Sequence, residues 1–163
     1  MSTGVVIQVK HNFETAHRLP FLEGKCESLH GHSWWAEITM RARLNSGWCH
    51  GMDGNGISIE YSRVKQMIRA WIDANLDHGT MLGYEDPMVK LIRDTGDKTK
   101  LFVFGEHTPK ELPWPTVEAV AALLLGKVQN IVDGAFDYGK IKVMYVKVNE
   151  THINSAICGE VTP

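Results

Sequence analysis

The sequence predicts an α+β fold, an antiparallel sheet with its helices gathered on one face. Three observations lead there. Nearly strict apolar–polar alternation marks two segments near the N-terminus. Helical periodicity marks the middle of the chain. Two further strands close it. The resulting order is strand, strand, helix, helix, strand, strand, a ββααββ unit whose strands are grouped apart from its helices.

Each element has its own signal. Val5, Ile7, Val9, His11, Phe13, Thr15 and His17 share one parity, so a first strand is expected over roughly residues 4–17. A second is expected over roughly 32–44, where Trp34, Ala36, Ile38, Met40, Ala42 and Leu44 alternate with Ser33, Trp35, Glu37, Thr39, Arg41 and Arg43. Gly47, Gly51, Gly54 and Gly56 make the next stretch a loop. A short extended piece, 57–61, then leads into a helix capped by Ser62, whose buried stripe is Val64, Met67, Ile68, Trp71 and Ile72. That helix ends near Asn75, with Leu76-Asp77-His78-Gly79 as its exit. Asp86-Pro87 supplies the cap and first residue of a second helix, which Gly96 stops. Leu101–Phe104 reads as a short buried strand. Thr116 caps a long helix with Val117, Val120, Ala121, Leu124, Leu125, Val128 and Ile131 on its apolar stripe and Gly134 just past its end. Strands over about 141–150 and 153–160 complete the chain. Trp35 and Tyr145 fall on the outer sheet face and hint at a partner surface.

Size and composition narrow the function. The 163 residues, without repeat or long linker, are expected to form one domain, 1–163. A net charge of −2 with no Lys/Arg block argues against a nucleic-acid partner. The longest apolar run, Ala119–Leu125, is too short to span a membrane. The N-terminus lacks the pattern of a signal peptide, and three scattered cysteines do not make a disulfide framework. A cytoplasmic location is expected.

The chemistry-bearing stretch is Cys26-x-x-x-His30-Gly31-His32, with His17 upstream. Residues two apart on a strand point the same way, so His30 and His32 aim two imidazoles at one point. His17 shares the inner face of the preceding strand. Three neutral imidazoles suit Zn2+, and three protein ligands leave a coordination position open for chemistry. Cys26 then has three readings: an acid/base beside the metal, a fourth ligand that closes the site, or an inert half-buried thiol, as Cys49 and Cys158 are read. His11, His50, His107 and His152 have no comparable context. Glu150 follows the inward parity of Met144, Val146 and Val148, where a buried carboxylate needs a partner.

Phe13-x-x-Ala16-His17, Cys26-x-x-x-His30-Gly31-His32, Leu76-Asp77-His78, Pro115-Thr116-x-Glu118 and Glu150-Thr151, in this order, resemble the 6-pyruvoyl-tetrahydropterin synthase and 6-carboxy-tetrahydropterin synthase family from about residue 7 to 160. The three residues between Cys26 and His30 resemble the 6-carboxy branch. The resemblance implies a tunnelling fold whose sheets join into an oligomeric barrel, a homo-oligomer built on trimers, usually hexameric, with active sites between subunits. It implies zinc on His17, His30 and His32, with Cys26, Asp77, His78 and Glu150 catalytic and Thr116, Glu118 and Glu150 binding substrate. The implied reaction is a lyase reaction of queuosine biosynthesis. It converts 7,8-dihydroneopterin triphosphate to 6-carboxy-5,6,7,8-tetrahydropterin, acetaldehyde and triphosphate, with no membrane or nucleic-acid partner. Two rivals remain: the pyruvoyl reaction, without carbon–carbon cleavage, and an inactive zinc-binding member. Arg18, Lys25, Arg41 and Arg43 are candidates for the triphosphate. Glu60-Tyr61 stands where the family usually has Asp-Phe, and Ala119 where it often has asparagine. The segments 45–56 and about 84–113 look longer than the family core requires.

Overall fold

A computed structural model describes residues 5–42, 53, 55–136 and 140–161. Among these residues six strands form one sheet: β1 (Val6–His17), β2 (His30–Ala42), β3 (Gly79–Gly83), β4 (Leu101–Phe104), β5 (Ile141–Asn149) and β6 (Ser155–Gly159). Three helices accompany it: α1 (Tyr61–Asn75), α2 (Pro87–Thr95) and α3 (Val117–Ala135). The strand order is β4-β3-β1-β2-β5-β6. The expected antiparallel pairing holds for β1, β2, β5 and β6. Leu44, Arg43, Gly47, Cys49, His50, Gly51 and Gly54 lie outside the described residues, and with them most of the 45–56 loop.

The structure corrects several expectations. The sheet is mixed, because β3 runs parallel to both β1 and β4. β3 gave no alternation signal, being five residues long with a glycine at each end. The element order is therefore longer than ββααββ. Nor do all helices share a face. α1 and α3 cover the main core, whereas Val89 of α2 packs with Leu82 and Val103, which point away from their neighbours Met81, Phe102 and Phe104. Residues 57–60 form no strand, and α1 starts one residue before Ser62. Its cap is Glu60, and the Ser62 hydroxyl donates to the Glu60 carboxylate at 2.5 Å. Gly134 lies inside α3, which Phe136 ends. The other caps are as expected: Asp86 accepts from Met88 N–H, Thr116 accepts from Ala119 N–H, and Gly96 takes the left-handed conformation at φ 66°.

Burial explains the alternation. Ile7, Val9 and Phe13 of β1 and Trp34, Ala36, Ile38 and Met40 of β2 face Val64, Ile68 and Ile72 of α1 and Val120, Leu124 and Val128 of α3. Each large side chain buried this way contributes about 1.5–3 kcal/mol. Gly83 has no room for a side chain, because the Trp114 ring would lie 2.2 Å from an added Cβ. On the outer face Trp35 is 45% exposed, with Val6 and Ile157 also exposed and Tyr145 half-buried. Among the described residues no helix is long and apolar enough to cross a membrane.

Candidate metal centre

The antiparallel register of β1 and β2 builds the site. His17 lies directly opposite His30, and Thr15 opposite His32. All three imidazoles therefore emerge from the inner face at one end of the strand pair. Ring centroids of His17–His30 and His30–His32 are 4.7 Å apart, and those of His17–His32 5.3 Å. One ligand atom from each lies within 4.8 Å of the others, so the trio is able to hold one metal ion.

The rings are oriented from behind. His17 Nδ1–H donates to the Pro115 carbonyl at 2.8 Å, and His30 Nδ1–H donates to the Ser28 carbonyl at 2.6 Å. These bonds fix the tautomers and leave Nε2 with its lone pair, the arrangement a ligating histidine uses. Trp34 is fully buried beneath them, edge-on to His17 at 5.0 Å and to His32 at 5.7 Å, with its indole N–H donating to the Thr15 carbonyl.

Electrostatics suit neutral ligands. His17 Nε2 and His32 Nε2 are buried without a hydrogen-bond partner, which is costly for a polar atom that nothing satisfies. A bound cation would satisfy both, so the donor set fits zinc. Burial pushes His17 down from 6.5 to about 4; the Pro115 carbonyl opposes this, and His30 and His32 add to it. Burial also lowers His32, against the pull of Glu150. The Glu150 carboxylate stands just past β5, 3.3 Å from His17 Nε2 and 4.0 Å from His32 Nε2.

Cys26 occupies a short 3-10 turn, Lys25–Glu27, in the connection between β1 and β2. Its thiol is half-buried, and its carbonyl accepts from Leu19 N–H at 2.8 Å. Among the described residues no cysteine joins the group of converging ligand atoms. Arg18 makes two bonds to the buried Asp86 carboxylate, at 2.7 and 2.6 Å, so its guanidinium is committed to the start of α2. Arg43 lies outside the described residues.

Asp77 and His78 are neighbours in sequence, and the backbone must turn for them to face each other. It does: His78 has φ 53°, a left-handed conformation that costs a non-glycine residue about 1–2 kcal/mol. His78 Nδ1 then lies 2.7 Å from Asp77 Oδ2, while Asp77 Oδ1 accepts from Glu14 N–H at 2.8 Å. Burial works against ionised Asp77. The bonds from Glu14 and His78 and the charges of His78 and Lys100 outweigh it, holding the carboxyl below its ordinary value. The His78 side chain is 78% exposed. A cleft of about 330 Å³ is lined by Glu14, Gly31, His32 and Gly79. A larger one of about 670 Å³ is lined by His32, Trp35, Glu150, Thr151 and His152.

Thr116 serves as the α3 cap, and Glu118 is exposed in that helix's first turn. Sequence reasoning missed Pro115 and Ser28 as orienting groups, since backbone carbonyls carry no residue-type signal. It also missed Trp34 as the floor of the site, although its place on the His30/His32 parity was the available clue.

A family model described as 6-pyruvoyl tetrahydropterin synthase matches residues 6–160. A 6-carboxy-5,6,7,8-tetrahydropterin synthase of Rickettsia bellii is 27% identical over 143 residues, 85% of this chain and 88% of that protein. One of the same name from Rickettsia typhi is 35% identical over 117 residues, 72% of this chain and 75% of that protein. The solved structure of Plasmodium falciparum 6-pyruvoyl tetrahydropterin synthase superposes with a TM-score of 0.65 at 16% identity, covering 96% of this chain and 97% of that one. At that identity the likeness speaks for the fold.

Proposed function

Because this chain belongs to the 6-pyruvoyl tetrahydropterin synthase family, we propose that it is a zinc-dependent lyase of the 6-carboxy type. It takes 7,8-dihydroneopterin triphosphate and one water to 6-carboxy-5,6,7,8-tetrahydropterin, acetaldehyde and triphosphate, a reaction of 7-deazaguanine (queuosine) biosynthesis. The observation that carries this reading is the pair of buried, unpartnered Nε2 atoms on His17 and His32 beside His30, in a chain whose relatives bear the 6-carboxy name.

His17, His30 and His32 hold the ion through Nε2. Zinc, when bound, supplies a Lewis acid that lowers the proton affinity of the substrate's side-chain oxygens. The Cys26 Sγ, as thiolate, takes a proton from the substrate side chain. His78 moves protons at Nε2 while Asp77 holds its Nδ1–H. Glu150 accepts two N–H donors from the aminopyrimidine edge of the pterin. Thr116 and Glu118, at the start of α3, complete the substrate pocket. Arg18 is left out of triphosphate binding because Asp86 already neutralises it.

The whole chain, 1–163, acts as one pterin-synthase domain in a homo-oligomer whose sheets join into a barrel, with active sites between subunits. Two features support this. Among the described residues β3 pairs with residues 15–17 of β1 and the Asp77–His78 turn bonds Glu14, which leaves the part of that edge before Glu14 without a strand partner. Trp35, Val6 and Ile157 present apolar surface on the outer sheet face.

The test is product analysis after zinc-loaded protein meets dihydroneopterin triphosphate. Acetaldehyde appearing in step with triphosphate is expected. Triphosphate without acetaldehyde would mean the pyruvoyl reaction, and neither product from fully zinc-loaded protein would mean an inactive zinc binder.

A further inference from the structure

The segment 84–113 contributes more than surface. It forms α2 and β4, and the residue just before β4 is Lys100. Its Nζ donates to two carbonyls at 2.6 Å each, Asp73 in the last turn of α1 and Asp77 in the turn that follows. The negative end of the α1 dipole is thereby met by an ammonium. Lys100 is also tied to the next residues of the turn. Its carbonyl accepts from Thr80 N–H at 2.8 Å. Its stem lies against Gly79, where an added Cβ would sit 2.9 Å from Lys100 O and 3.2 Å from Lys100 Cδ. On the opposite side β1 holds the same turn, since the Glu14 carbonyl accepts from His78 N–H at 2.6 Å and Glu14 N–H donates to Asp77 Oδ1.

We propose that Lys100 is a positioning residue for the Asp77–His78 pair: its ammonium, bridging the end of α1 to the Asp77 carbonyl, holds the left-handed turn in which the His78 ring meets the Asp77 carboxylate. Without that bridge the left-handed backbone at His78 loses a restraint on one side, and the relaxed conformation separates adjacent side chains. The inference rests on the proposed proton-carrying role of His78 for its effect on turnover, but not for its effect on structure.

The experiment compares Lys100→Met, which keeps the stem and removes the charge, with Lys100→Arg, which keeps the charge, in zinc-loaded protein. The first readout is the ring tautomer of His78 from histidine 15N shifts at alkaline pH, with His78→Gln for assignment. The pair with Asp77 favours Nδ1–H, whereas a free neutral imidazole prefers Nε2–H. Wild type and Lys100→Arg are expected to show the Nδ1–H form and Lys100→Met the Nε2–H form, with zinc affinity unchanged in all three. Turnover of Lys100→Met is expected to fall roughly ten- to hundredfold in kcat, with KM within about twofold. A wild-type tautomer in Lys100→Met would overturn the proposal. So would a loss of zinc affinity alongside the tautomer change, because the lesion would then be general. A tautomer switch in a protein whose wild type never turns over dihydroneopterin triphosphate would uphold the brace and remove the proposed reaction instead.

Discussion

The histidine trio and the Asp77–His78 pair are built by opposite means. The trio stands on two long strands in unstrained register, over a buried indole, with two of its ring nitrogens shut away from water. The pair stands on a single turn with a left-handed residue, and its histidine is largely exposed. Strand register supplies the first geometry, and the Pro115 and Ser28 carbonyls orient two of its rings. The second is a turn that β1 holds from one side and Lys100 from the other. A rigid cradle suits an ion that must stay, and an exposed ring suits a group that exchanges protons.

The sharpest way to break this contrast is to remove a ligand. His32→Ala is expected to weaken zinc binding by more than about a thousandfold, since even outer-shell losses cost ten- to hundredfold. Competition with a chromogenic chelator measures it. Asp77→Asn is the counterpart at the other region. It is expected to lower kcat by about a hundredfold and leave zinc affinity unchanged, as Cys26→Ala should also do. A drop in zinc affinity in either variant would merge the two regions into one.

What was legible in the sequence follows the same division. Parity along a strand is a local property, so the trio could be read from His17, His30 and His32 alone. The helix caps at Asp86 and Thr116 were legible for the same reason. β3 was not, because its pairing depends on β1 and β4, distant in sequence, and its two terminal glycines hide any pattern. That single miss turned a mixed sheet into an antiparallel one and put α2 on the wrong face. A positive φ at His78 has no residue-type mark, and neither do carbonyls such as Pro115 O. Arg18 looked like a phosphate ligand because its partner, Asp86, lies far along the chain.

A further effect separates the regions by pH. The folded protein holds His17 near 4, whereas the unfolded chain titrates it near 6.5. The metal-free fold therefore binds fewer protons in that window, and its stability is full above pH 6.5 and falls as pH drops towards 4. The loss is about 3 kcal/mol, measurable by urea unfolding, and its slope should be shallower in His17→Gln. The smallest expected effect is Gly31→Ala. The nearest atom to the new Cβ would be the Thr15 carbonyl oxygen at 3.8 Å, an ordinary contact. Less than about 1 kcal/mol should be lost, and zinc affinity should hold, because the spacing of His30 and His32 matters and the glycine between them does not.

Zinc K-edge X-ray absorption on the loaded protein addresses the metal centre most directly. One zinc per chain is expected, with three imidazole nitrogens at about 2.0–2.1 Å, the remaining scattering from oxygen, and no sulfur. A sulfur shell at about 2.3 Å would make Cys26 a ligand, close the site, and contradict an open centre beside a reactive thiol.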